Sequence, residues 1–268
     1  MTLAPDEIPL PHVRRRLAEL EHEHEMRVVY AVESGSRAWG FASQDSDVDA
    51  RFLYVRTPEW YLAVFPGRDV IEPPIDGLFD VSGWDLRKAL GLFYKSNPPL
   101  LEWLRSPLVY HEDAEVVDGL RALVPQFYSR RAAFYHYWSM ARSNYRAELR
   151  GERVRPKKYF YVLRPILCCR WIEAEPEAPP PMEFDRLAER FLAGEVREAV
   201  DTLLREKRAG SEGDRRPPIP VLQRFVEREL DALEGLATAL PRTDADRSTL
   251  DDYFRQSLDA VWGRDARP

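Results

Sequence analysis

The segment Val32–Val55, VESGSRAWGFASQDSDVDARFLYV, constrains this chain more than any other. It is entered through Arg27–Val32 (RVVYAV), a β-branched and aromatic run that reads as a buried strand. That strand runs out into Gly35-Ser36, and residues 33–45, with two glycines and three serines, read as a loop leading into a short helix. Eleven residues after Ser36 comes Asp47, Asp49 follows two places on, and Val48–Val55 alternates as a second strand. Residues two apart on a strand share one face, so both carboxylates aim at one point. Held that close they repel each other unless a cation sits between them.

Hard oxygen donors in such a pair suit Mg²⁺ or Mn²⁺, and Mg²⁺ commonly takes further ligands from a nucleotide's phosphates. Gly35 lets the backbone approach a ligand closely. Backbone N–H groups there, with the Ser36 hydroxyl, make an anion site. A nucleoside triphosphate in that cradle would present its phosphates to metal on the two aspartates, the layout of an in-line displacement at phosphorus. Taken alone, S-Q-D-S-D is also ordinary turn composition. Its placement between two strands, at this distance from Gly-Ser, favours the catalytic reading.

Chemistry of this kind calls for a third carboxylate on a neighbouring strand. Leu78–Ser82 reads as a third strand after the Pro73, Pro74 and Gly77 breaks, and it carries Asp80, the first choice. Asp85 is the second, although it equally reads as the N-cap of a helix over residues 85–95.

Before this region, residues 12–25 read as a charged helix with an apolar stripe at Val13, Leu17 and Leu20. After it the pattern is helical: residues 100–105, 113–123, 127–150, 156–173, 183–192, 195–208, 217–239 and 248–262. The expected class is therefore α+β, a small mixed sheet with helices over residues 1–108 followed by an all-α part over residues 109–268. Two loops interrupt the helices, the proline-rich 175–181 and the polar 210–220.

At 268 residues the chain can bury a sizeable core. It has no apolar run near the ~20 residues of a membrane span. Its first residues, MTLAPDEIPLPHVRRRL, lack the apolar stretch of a secretory signal, so a cytoplasmic location is expected. Cys168 and Cys169 are adjacent and read as two core thiols rather than a bridge. His22 and His24 lack the helical spacing of a zinc pair. The net charge of −6 does not favour nucleic acid over the whole surface. Basic residues nevertheless gather between Arg142 and Lys158. In the helix over 156–173, Lys157, Tyr161 and Arg164 share a face. Phe134–Trp138 (FYHYW) reads as core packing before base stacking.

Gly35-Ser36 followed by Asp47-x-Asp49 resembles the signature of the DNA polymerase β superfamily. Residues 80–107, DVSGWDLRKALGLFYKSNPPLLEWLRSP, and residues 157–167, KKYFYVLRPIL, resemble the RNA-repair-associated (RlaP-like) nucleotidyltransferases. The resemblance spans about residues 27–172. It implies a polymerase β-like catalytic domain ahead of a helical domain. It implies transfer of a nucleoside monophosphate from NTP to a hydroxyl acceptor, with Mg²⁺ or Mn²⁺ on Asp47, Asp49 and Asp80, and an RNA end as the acceptor. The nucleotide would be held by Gly35, Ser36, Arg37, Lys88, Lys158, Tyr161 and Arg164. On the residues alone Arg37 could equally pair with Glu33 or Asp45. The acceptor also stays open: a protein side chain or a small molecule is the alternative within the class, and a nucleotide-binding protein without turnover is the alternative outside it.

Overall fold

The computed structural model describes residues 9–263 apart from 44, 177, 211–213 and 242. The extreme N-terminal residues read above for a leader, Met1–Ile8, lie outside the described residues, as do parts of both interrupting loops.

Helix α1 (Leu10–His24) leads into β1 (Met26–Glu33), the short α2 (Gly35–Ala38) and β2 (Val48–Arg56). Then come α3 (Pro58–Tyr61), β3 (Val70–Ile71), β4 (Phe79–Asp85), α4 (Leu86–Tyr94), α5 (Pro98–Trp103) and β5 (Val109–Glu112). The five strands form one mixed sheet in the order β3-β4-β2-β1-β5. β1 and β2 are antiparallel, whereas β2 and β4 are parallel. The parallel pair sets Asp49 opposite Asp80 in register.

Along β2 the side chains part by parity. Val48, Ala50, Phe52 and Tyr54 join a core built on Val13, Leu17 and Leu20 of α1. Leu53 and Val55 join a second core on the opposite face, which continues through α4 and α5 into the helices that follow. Full burial of an aliphatic side chain of this size stabilises by roughly 1.5–3 kcal/mol, so each face of β2 is firmly fixed. Asp49 and Arg51 share the parity of Leu53 and Val55. One row therefore runs from charged to apolar along the strand.

The helical part comprises α6 (Ala114–Phe127), α7 (Arg130–Asn144), α8 (Lys158–Ala174), α9 (Phe184–Phe191), α10 (Gly194–Arg208), α11 (Pro220–Leu233), α12 (Leu236–Ala239) and α13 (Ser248–Trp262). A π-helical turn, Tyr145–Leu149, extends α7. The long helix expected over 127–150 is thus split at its start, where the Ser129 hydroxyl caps α7 by accepting from the Ala132 N–H. The reading over 217–239 breaks at Gly235, which takes a left-handed conformation (φ 82°).

Two short strands escaped sequence reading. β5 lies where the chain was expected to turn wholly helical, and it pairs with β1 at the sheet edge. Only Tyr110 of its four residues is buried, too little for a periodic signal. β3 has two residues. Phe134 and Tyr137 are buried in the core, as expected of that aromatic run, and so are the free thiols of Cys168 and Cys169. Among the described residues no helix is long and apolar enough to cross a membrane.

One buried ion pair ties α5 to α8. The Arg164 Nη1 donates to Glu102 Oε1 at 2.8 Å, and the same oxygen accepts from the Tyr137 hydroxyl at 2.7 Å. Arg164 also donates to the Met182 carbonyl. Removing the carboxylate would leave a desolvated guanidinium without its counter-charge. Glu102→Ala is expected to lower stability by about 3 kcal/mol or more, read as a lower denaturant midpoint at unchanged slope.

Candidate active site

Asp47 precedes β2, Asp49 is its second residue and Asp80 the second residue of β4. The two strand carboxylates meet on one cation. Arg51 Nη2 donates to Asp49 Oδ1 at 2.9 Å and to Asp80 Oδ2 at 2.7 Å, while its Nη1 donates to the Asp80 carbonyl at 2.8 Å. Burial pushes the Asp49 carboxyl above its ordinary pKa; Arg51 opposes that rise, and the charges of Asp80 and Asp47 add to it. Asp49 therefore senses the charges of both neighbouring acids.

The approach to Asp49 depends on a glycine. Gly35 opens α2 with φ 57°, a conformation that disfavours a Cβ. A Cβ built there would overlap Asp49 Oδ2. The chain between Gly35 and Asp47 is held by Arg37, which is buried and donates to the carbonyls of Ser46 at 3.1 Å and Asp47 at 3.3 Å. Arg37, expected as a phosphate contact, thus anchors the backbone that presents Asp47.

Beneath the acids lies Glu33, wholly buried at the end of β1. Its Oε1 accepts from the Asp49 N–H at 2.8 Å and its Oε2 from the Tyr110 hydroxyl. Burial is the main cause that raises its pKa from 4.5 to about 7, against the pull of both hydrogen bonds. Ser106 Oγ donates to the Glu33 carbonyl at 2.7 Å, so β5 and the turn before it brace the same residue.

Of the remaining expected site residues, Ser36 lies beside Gly35 in α2. Lys158 pairs with Glu148 at 2.9 Å and stands 5.3 Å from the Tyr161 ring. Tyr161 is partly exposed and meets Trp39, the C-cap of α2, edge to face at 5.8 Å. Those two therefore lie on the α2 side of the site.

Lys88 does not join it, and Arg164, though it packs on the same Trp39 ring, is buried. Lys88 pairs with Asp69 at 3.2 Å, beside the far end of β4, about 16 Å along the strand from Asp80. Arg164 is spent on Glu102 and lies under the Trp39 ring at 4.7 Å. Asp85 is buried at that same far end. It caps α4 by accepting from the Arg87 N–H at 2.8 Å and accepts from the Tyr61 hydroxyl at 2.7 Å.

Arg51, Glu33 and Tyr110 carry structural weight that sequence reading did not assign. Arg51 was within reach, because the i, i+2 rule that pairs Asp47 with Asp49 extends to it. Tyr110 had no signal, being 77 residues from Glu33 on an unrecognised strand.

Carboxylate oxygens are hard donors, and two of the three already converge on one positive atom, so the residues fit a divalent cation. Among the described residues no three metal-ligating side chains stand as a finished set, the focus of Asp49 and Asp80 being taken by Arg51. These in-register acids beside a glycine turn include two of the residues at which the sequence resembles nucleotidyltransferases of the polymerase β kind. The family model described as the RNA repair pathway DNA polymerase beta family, RlaP, matches residues 11–256, and the chain belongs to that family. It is 47% identical over 248 residues to the uncharacterized protein YcgL of Bacillus subtilis, covering 92% of this chain and 95% of that one. Among solved structures, a nucleotidyltransferase-like protein from Exiguobacterium sibiricum aligns over 86% of this chain and 74% of its own, at 13% identity and a TM-score of 0.31.

Two outcomes follow from this packing. Gly35→Ala is expected to cut nucleotidyl transfer by about tenfold or more by displacing Asp49, with a smaller effect on melting temperature, measured by initial rates beside thermal unfolding. Glu33 binds its proton more tightly in the folded chain than in the unfolded one. It therefore contributes stability that is full below pH 4.5 and is lost as pH rises through about 7. Glu33→Gln keeps an acceptor for the Asp49 N–H and cannot ionise. The variant's stability relative to the parent is expected to improve from pH 5 to pH 8 in denaturant titrations.

Proposed function

We propose that this protein transfers a nucleoside monophosphate from an NTP to a hydroxyl acceptor, releasing pyrophosphate, and that the acceptor is an RNA end. The observation that carries the reading is the in-register pair Asp49 and Asp80, focused on one cationic atom beside Gly35. What supports an RNA acceptor is the description of the family by its RNA repair pathway.

Asp47, Asp49 and Asp80 would hold Mg²⁺ or Mn²⁺. Bound there, such an ion supplies positive charge for the transferring phosphoryl group and the departing pyrophosphate. The chain's own part is positioning. Gly35 leaves room for the Asp49 carboxylate itself, which occupies the space a Cβ would need. Arg37 fixes the backbone on which Asp47 sits, and Glu33 fixes the backbone N–H of Asp49. The acceptor hydroxyl oxygen bonds to the α-phosphorus and gives up its proton to solvent, while the bond from that phosphorus to the oxygen bridging to the β-phosphate breaks and pyrophosphate leaves.

Incubation with each labelled NTP, Mg²⁺ or Mn²⁺, and RNA, cell protein or small metabolites tests this reading. Label is expected in RNA. Label in protein or a small molecule would keep the class and change the acceptor. Nucleotide binding without transfer, surviving Asp47→Asn, would make the chain a binding protein. Asp47→Asn, Asp49→Asn and Asp80→Asn are each expected to lower turnover by ~10²-fold or more, the scale of losing one key electrostatic contact. A near-parental rate would remove that residue from the mechanism.

A further inference from the structure

Arg51 stands where the proposed site needs an external cation. It lies two residues beyond Asp49 on the same face of β2, and one of its nitrogens is shared between Asp49 and Asp80. Its second nitrogen donates to the Asp80 carbonyl and to the Ala50 carbonyl, so the fork is fixed to the backbone of both strands. The side chain is only 18% exposed, less than either carboxylate it bridges, at 25% and 36%. An exposed, mobile arginine would be a weak partner. This one is held in a planar, multiply bonded arrangement that a guanidinium favours.

The backbones that carry the two carboxylates would keep their places without it. Asp49 and Asp80 are opposed by strand pairing, Asp49 is held through its N–H by Glu33, and Gly35 closes on its far side. Arg51 is thus not needed to set the two acidic residues side by side. Its effect is to neutralise them where they meet.

We infer that Arg51 is a positioning residue acting as the resident counter-cation of the site, which a divalent ion must displace from Asp49 and Asp80 in order to bind. This rests on the metal-dependent reading above and deepens it. A bare ion exchanges one neutralised state for another and so binds weakly. An ion that arrives on a triphosphate brings ligands of its own and gains more. The site is thereby guarded against metal without nucleotide.

The test is Mn²⁺ binding to the full chain without nucleotide, followed by electron paramagnetic resonance, beside melting temperature in EDTA and in Mn²⁺. Arg51→Met keeps most of the side chain's length and apolar stem and removes the charge. It is expected to bind Mn²⁺ about tenfold more tightly than the parent. It should also melt lower in EDTA and recover with Mn²⁺ by a larger shift than the parent shows. Arg51→Lys keeps a charge and should stay near the parent in affinity. A merely structural arginine would lower the melting temperature equally in EDTA and in Mn²⁺ and leave the affinity unchanged. That result would overturn the inference while the metal reading stood. Mn²⁺ held by no protein of the set, with or without NTP, would overturn both. Should Arg51→Met be too unstable in EDTA, its melting shift on adding Mn²⁺ against that of Arg51→Lys decides: equal shifts overturn the inference.

Discussion

The parallel register of β2 and β4 is the constraint on which the rest depends. It sets Asp49 beside Asp80 on the one face of the sheet that is not covered by α1. Strand pairing fixes backbones and apolar burial fixes faces. A slip of one residue would turn Leu53 and Val55 out of one core and Phe52 and Tyr54 out of the other. The acids are therefore placed by residues several positions away that have no chemistry of their own. The same register brings like charges together, and the protein meets that cost with a guanidinium supplied from the same strand.

Behind the acids stands a second layer that is nearly hidden from solvent. Glu33 receives the Asp49 N–H and the Tyr110 hydroxyl, while Ser106 holds its carbonyl. A carboxyl buried this deeply is costly when charged, which is why burial raises its pKa despite two donors. β5 is short and mostly exposed, and its part in the sheet is chiefly to deliver Tyr110 to that carboxyl. The sheet edge is in this sense part of the site.

Legibility in the sequence followed the range of the interaction. The α1 stripe, β1, the Gly35 turn and β2 are local and periodic, and their places were readable from spacing alone. Asp80 was readable as a strand acid, but its match to Asp49 depends on a register that spacing does not contain. Lys88 looked suitable by charge and helix position, yet the length of β4 carries it away from the acids. Arg164 looked suitable by sharing a face with Tyr161. Whether that face met solvent or core depended on Glu102, sixty-two residues away. Charge type is local information, whereas a charged residue's partner is not.

This separates two kinds of arginine in the chain. Arg164 and Arg37 are buried and committed to fixed acceptors, Glu102 and Met182 for the first, backbone carbonyls for the second. Neither can leave without exposing a desolvated partner, so both belong to the scaffold. Arg51 differs in what it neutralises. Its side-chain acceptors are carboxylates, which in the metal-bound state proposed above would keep a counter-charge on its departure, at the cost of its bonds to the Asp80 and Ala50 carbonyls. An ion pair whose acids have an alternative partner of higher charge is exchangeable in a way that one with a single possible partner is not. That asymmetry, rather than burial alone, distinguishes the Asp49–Arg51–Asp80 bridge from the two scaffold arginines.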